Sequence, residues 1–281
     1  MSTAVVVALL CAAVMHGTWN AVAKAVPDRL VSSTLIGLVY FAAGAVGCLV
    51  LPPISPASWP FVAASATAQT LYLILLTAAY ARTEFSRAYP LTRGISVLGI
   101  TVVSVGLLGE RISTGQLAGV ALIVLSLLAL SWNRDATARR GDFPLILAVG
   151  ATVTTYSVLD GVGVRASGHA LSYASWLFLL QGAALPLVCL VLSPDRRGFV
   201  LGLRKHALLG VAGGVISLIA YAIVVWAQSV APLAIVSAIR EASVLSAVVI
   251  GFLFFKEPIR GWRVAATVLT VVGIVAVQLA G

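Results

Sequence analysis

Runs of about 20 apolar residues follow one another along this chain, about ten in all, each the length an α-helix needs to cross a hydrocarbon core ~30 Å thick. Their approximate bounds are 3–24, 31–51, 59–81, 87–108, 112–132, 143–164, 171–192, 206–229, 233–255 and 260–280. In lipid, backbone polar groups must be satisfied inside the segment, so such runs fold as helices. The loops between them are mostly short and leave little chain for a soluble domain. The expected fold is all-α, one bundle of about ten transmembrane helices. Composition agrees: 10% of residues are charged and 60% hydrophobic, where soluble domains carry about a quarter charged residues. Ala21-Val22-Ala23 has the small-x-small look of a leader cleavage site. However, "MSTAVVVALL" has no basic opening, and His16, Trp19 and Asn20 interrupt the apolar stretch, so the first run is read as a retained span.

A net charge of +9 could point to nucleic acid, but the basic residues sit between the apolar runs, where positive-inside bias places them. Loops assigned alternately to two faces put only Arg111 and Arg165 on the face holding both termini. Fourteen basic residues fall on the other face, from Lys24 and Arg29 through Arg196, Arg197, Arg204 and Lys205 to Arg263. That face is expected to be cytoplasmic, with both termini outside. Cys11, Cys48 and Cys189 lie in separate runs without ligand spacing, so neither disulfide framework nor metal site is expected. No phosphate-binding glycine loop or nucleophile triad is present, and no cofactor is implied.

Shifted by 147 positions, the sequence meets itself. "TRGISVL" at 92–98 lies under "IREASVL" at 239–245, and "LLGERI" at 107–112 under "FFKEPI" at 254–259. Arg93 thus meets Arg240, Ser96 meets Ser243 and Glu110 meets Glu257. Five spans repeated have opposite orientations in the membrane, because five is odd. Inverted repeats of this kind belong to transporters and place binding sites near the midplane, where the halves meet. The ten-span length, the polar first run ending "HGTWNAVAK", and the "LLGERIS" and "FFKEPIR" segments resemble EamA-type proteins of the drug/metabolite transporter superfamily. The resemblance covers the whole chain and implies two EamA-like five-helix repeats, 1–134 and 142–281, joined by a linker at 135–141. It also implies ATP-independent transport of a metabolite, often export, without naming the cargo. Relatives are often described with both termini inside, which the charge count opposes.

Ionisable side chains at bilayer depth cost about 2.5–3.5 kcal/mol each on insertion scales, so they mark cavities or partners. Five stand out: His16, Arg93, Asp160, Arg240 and Glu241. In the first run His16, Asn20 and Lys24 step by four and Trp19 lies three beyond His16, a polar stripe expected to turn from lipid; Lys24 reads as snorkelling at the edge. Thr152, Tyr156 and Asp160 repeat the step in the sixth run, with interfacial pairing of Asp160 to Arg165 as the alternative. Ser217, Tyr221 and Gln228 share a face of the eighth run, and Gln69, Tyr72 and Tyr80 lie in the third. The expected substrate-binding residues are Arg240, Glu241, Arg93, His16, Trp19, Asn20, Tyr72, Tyr156, Asp160 and Tyr221. Paired guanidinium groups suit carboxylate or phosphonate oxygens, unless each is locked in a structural ion pair such as Arg240 with Asp160. Adjacent residues on a helix diverge by about 100°, so Arg240 and Glu241 are expected to have different partners. Glu241 and His16 are the groups that could carry a coupling proton; Glu241 could instead hold a cargo ammonium.

Gly44, Gly47, Gly210 and Gly214 are expected to allow close helix approach, and Trp59, Trp132, Trp176 and Trp262 to sit at span ends. The reading is a multi-pass protein of the cell membrane, the inner membrane if bacterial, and not an enzyme. It would be a monomer or homodimer that moves a small anionic or zwitterionic molecule and has no nucleic-acid partner. A lipid flippase on the same scaffold, or a membrane enzyme using His16, Asp160 and Glu241 on a lipid-linked substrate, are the alternatives.

Overall fold

The computed structural model describes residues 1–82, 85–131, 142–246 and 261–280. The helices are α1 (Thr3–Lys24), α2 (Arg29–Val50), α3 (Trp59–Arg82), α4 (Phe85–Gly106), α5 (Thr114–Ser131), α6 (Phe143–Ser167), α7 (Ala170–Leu192), α8 (Arg196–Lys205), α9 (Ala207–Val230), α10 (Leu233–Arg240) and α11 (Gly261–Leu279). Eight of these are long and apolar enough to cross a membrane. This is the all-α membrane protein that the apolar runs call for. The 135–141 linker, Trp132, the "FFKEPI" match and the far end of the ninth run lie outside the described residues, as do the side chains of Lys24 and Tyr80.

Short polar residues start several helices. Ser2 accepts from the Val5 amide, Asp28 from Leu30 and Val31, and Asp195 from Arg197 and Gly198. Each satisfies amides that have no carbonyl one turn back. Gly168 ends α6 at φ 74°, a left-handed position that suits glycine.

Large apolar side chains such as Leu49, Leu208 and Leu279 point outward, as lipid requires. Inside, α2 packs on α7 and α5 on α11, while α1 packs on α9 and α3 on α6. Small residues bring the α2 and α7 backbones together: a Cβ on Gly44 would meet the Ser175 carbonyl, and one on Gly182 the Phe41 amide. Gly47 against Ser175, Gly210 against Leu35 and Gly214 against Val39 bear out the remaining close approaches expected of glycine.

Two features depart from the apolar runs. The segment read as loop between the seventh and eighth runs contains α8, a ten-residue helix with Arg196, Arg197, Arg204 and Lys205 exposed and Phe199 buried against α2. The ninth run is also not one continuous helix. All eight residues of α10 are buried. Beyond Arg240 the chain tightens: the amides of Glu241 and Ala242 donate to Ala238 and Ile239, and those of Val244 and Leu245 to Glu241 and Ala242. Each bond reaches back three residues, the 3₁₀ spacing rather than the α one. Helix resumes over 243–246. The break falls at the two charged residues.

Candidate functional site

At the centre α10 packs against α1, α4, α5, α6, α9 and α11, and α3 packs against α6. Every residue singled out for the site lies on one of these or just after α10. They form three local groups.

The first group is an ion pair. Arg93 on α4 donates from Nε to Glu241 Oε2 at 3.0 Å and from Nη2 to Oε1. Arg93 is 5% exposed and Glu241 0%. Both carboxylate oxygens face one guanidinium edge, the bidentate arrangement that makes arginine–carboxylate pairs strong.

The second group centres on Asp160, also 0% exposed. Its Oδ2 accepts from the Tyr221 hydroxyl at 2.6 Å and from Gln69 Nε2 at 3.3 Å, and its Oδ1 from the Tyr173 hydroxyl at 3.2 Å. The interfacial pairing of Asp160 with Arg165 is not formed. Arg165 instead donates to Glu110 at 2.5 Å and to the carbonyls of Gln228 and Ala231. Nor does Asp160 form an ion pair with Arg240, although the two are within electrostatic reach. Neutral donors hold the carboxylate.

The third group is on α1. Trp19 Nε1 donates to His16 Nδ1 at 3.2 Å, with the rings edge-on at 5.2 Å. Asn20 Nδ2 donates to the His16 carbonyl at 2.7 Å. His16 lies within electrostatic reach of Arg93 and Arg240. Tyr72 and Tyr156 meet edge-on at 5.8 Å, and Tyr72 is within reach of both arginines.

Arg240 stands among these groups without a bonded anion among the described residues. It is 4% exposed, and its Nε and Nη2 have no hydrogen-bond partner among the described residues. Arg240 and Glu241 do have different surroundings, as their spacing requires.

The EamA-like transporter family model matches residues 142–279, and the Small Multidrug Resistance protein model matches residues 55–123. A crystal structure of another protein, 17% identical, aligns over 100% of both chains with a TM-score of 0.77, which shows a shared fold. Residues 142–279 are EamA-like. A search of curated proteins finds no match. This match and the eight apolar helices make the chain a multi-pass membrane protein whose second half is similar to transporters of the drug/metabolite type.

Tyr173 builds the site with nothing in the sequence to announce it; a tyrosine among apolar neighbours looks like packing until its hydroxyl is seen on Asp160. Gln69 stands out in the sequence only by helical spacing. Glu110 and Arg165 fall at loop positions, where charge is ordinary and gives no sign that the two pair.

Proposed function

We propose that the protein is a secondary transporter that moves a small polar metabolite by alternating access, without ATP hydrolysis, the cargo bearing an anionic group alone or within a zwitterion. The observation behind this reading is buried Arg240, whose Nε and Nη2 have no hydrogen-bond partner among the described residues. Buried donors of a charged group left without an acceptor are costly, so a fold that retains them in a membrane core is expected to receive an acceptor from elsewhere. In the proposed site Arg240 binds the anionic group and the Arg93–Glu241 pair lies beside it. His16, Trp19, Asn20, Tyr72, Tyr156, Asp160 and Tyr221 form the wall. Of the two groups open to proton coupling, Glu241 is favoured. Protonation there would dissolve its link to Arg93 and loosen α4 from the 240–242 break.

The two five-helix units, 1–134 and 142–281, are proposed as inverted repeats. In support, α3 and α5 moved by 147 positions coincide with α9 and α11 to within a residue at each end. The pairing of α3 with α6 is also matched by that of α9 with α1. Arg93 and Arg240 are then equivalent positions of the two halves.

A thermal-shift screen of the purified protein against organic acids, amino acids, phosphonates, amines and nucleotides tests the reading. Anionic or zwitterionic compounds are expected to stabilise the wild type and to lose that effect in Arg240→Gln. Stabilisation that survives unchanged in both Arg240→Gln and Arg93→Gln would remove the arginines from the site.

A further inference from the structure

We infer that the exposed face of α8 is a docking surface for the headgroups of anionic phospholipids in the leaflet on its side of the membrane. The inference is independent of the cargo site. One face of the helix is held by protein. Phe199 is buried in one cluster with Val31 of α2 and Cys189 of α7, Leu203 packs against the same cluster, and a Cβ on Gly202 would meet Val31. Val31 is in the first turn of α2, Cys189 is in the last turn of α7, and α9 begins two residues after α8 ends. The helix therefore lies level with the ends of three spans, where the hydrocarbon core gives way to headgroups.

The other face mixes charge with apolar surface. At about 100° per residue, Arg197 and Arg204 fall on one line of that face, roughly 10 Å apart along the axis. Val200 and Leu201 lie between them, with Arg196 and Lys205 at the two edges. All six are exposed, Leu201 by 65% and Val200 by 44%. None of the four cations is in an ion pair among the described residues. The acids nearest in sequence to the packed elements, Asp195 and Asp28, are turned onto the amides that start α8 and α2. In water, two apolar side chains in the middle of a cationic face gain nothing. At a bilayer surface they enter the acyl boundary while the long basic side chains reach the phosphates, which arginine can hold at two points. The position of α8 at the span ends favours lipid over an acidic protein or a free phosphate.

The test reconstitutes the full chain into vesicles of equimolar phosphatidylglycerol and phosphatidylcholine, releases it in mild detergent and counts the retained lipids by native mass spectrometry. The wild type should keep phosphatidylglycerol over phosphatidylcholine. Replacing Arg196, Arg197, Arg204 and Lys205 together by glutamine should cut that preference roughly tenfold or more. Arg197→Gln combined with Arg204→Gln should cut it several-fold and serves if the fourfold variant does not fold. Leu201→Ser, which keeps every charge, should also lower retention several-fold. No preference in the wild type, or a preference unchanged in the charge variants, overturns the inference. Release of phosphatidylglycerol by an equal concentration of inorganic phosphate overturns lipid as the occupant in favour of a free anion. Retention untouched by Leu201→Ser overturns the seating of α8 at the acyl boundary.

Discussion

Arg93 and Arg240 meet when the sequence is shifted by 147 positions, yet one is bonded to a carboxylate at two points while the Nε and Nη2 of the other have no partner among the described residues. Opposite stability effects follow. Removing one member of a buried ion pair leaves the other uncompensated and costs about 3–5 kcal/mol, whereas removing both costs much less. Arg93→Gln and Glu241→Gln should therefore each destabilise the fold by roughly that amount. The double variant should lie closer to the wild type than the sum of the two. Denaturation of the four proteins in one detergent measures this, and additive losses would mean that the two side chains do not pair in solution. Arg240→Gln, by contrast, removes a guanidinium that makes no ion pair among the described residues and leaves buried donors unsatisfied, and its melting temperature in the absence of cargo should equal or exceed that of the wild type. The sequence marked all three charges because ionisable groups in apolar runs are conspicuous. It could not pair them. Partner choice depends on how α4 crosses α10, and Asp160 found tyrosine and glutamine donors that hydropathy treats as unremarkable.

Glu110 and Arg165 hold the turn between α9 and α10. Glu110 Oε2 accepts from the Leu233 amide at 2.7 Å, at the start of α10, and also from the Ser104 hydroxyl. Arg165 donates to the Gln228 and Ala231 carbonyls, both at 2.8 Å, where α9 ends. An anion sits at a helix N-terminus and a cation at a C-terminus, the favourable sign at each, and the two are joined by their own 2.5 Å contact. Because Glu110 lies in the first half of the chain and Arg165 in the second, this clasp ties the two. Glu110→Gln or Arg165→Gln should free the turn. The expected reading is several-fold faster modification of Ala231→Cys by a water-soluble thiol reagent, in a chain with Cys11, Cys48 and Cys189 replaced by alanine; an unchanged rate would show that the clasp does not hold the turn. Long elements were legible because a span of ~20 apolar residues has one solution in lipid. The short ones were not. α8 is too short and too basic to register as a span, although Asp195 caps it and Phe199 and Leu203 repeat at helical spacing. The break after Arg240 has no glycine or proline to announce it.

The two ends of the bundle differ in charge, and the difference orients the whole molecule. Near the N-terminus, Met1, Ser2, Arg111, Gln116 and Pro232 border a cavity of about 260 Å³, beside the Glu110–Arg165 clasp. The opposite end carries α8, whose four exposed cations belong to the fourteen basic residues assigned to that face. Cytoplasmic loops retain excess Lys and Arg, and a basic helix lying at a bilayer surface gains about 1 kcal/mol per cation from anionic lipid on that side. The α8 end should therefore be cytoplasmic, and the termini, the cavity and the clasp should face outward, which would make Glu110–Arg165 a closure of the outer side. Ser113 is exposed beside the C-terminus, its hydroxyl donating to the Ala280 carbonyl at 2.8 Å, while Arg204 is exposed on α8. In the same cysteine-free chain, an impermeant thiol reagent added to intact cells should modify Ser113→Cys and should reach Arg204→Cys only after the membrane is opened. The reverse labelling pattern would invert the molecule and turn the clasp into an inner closure.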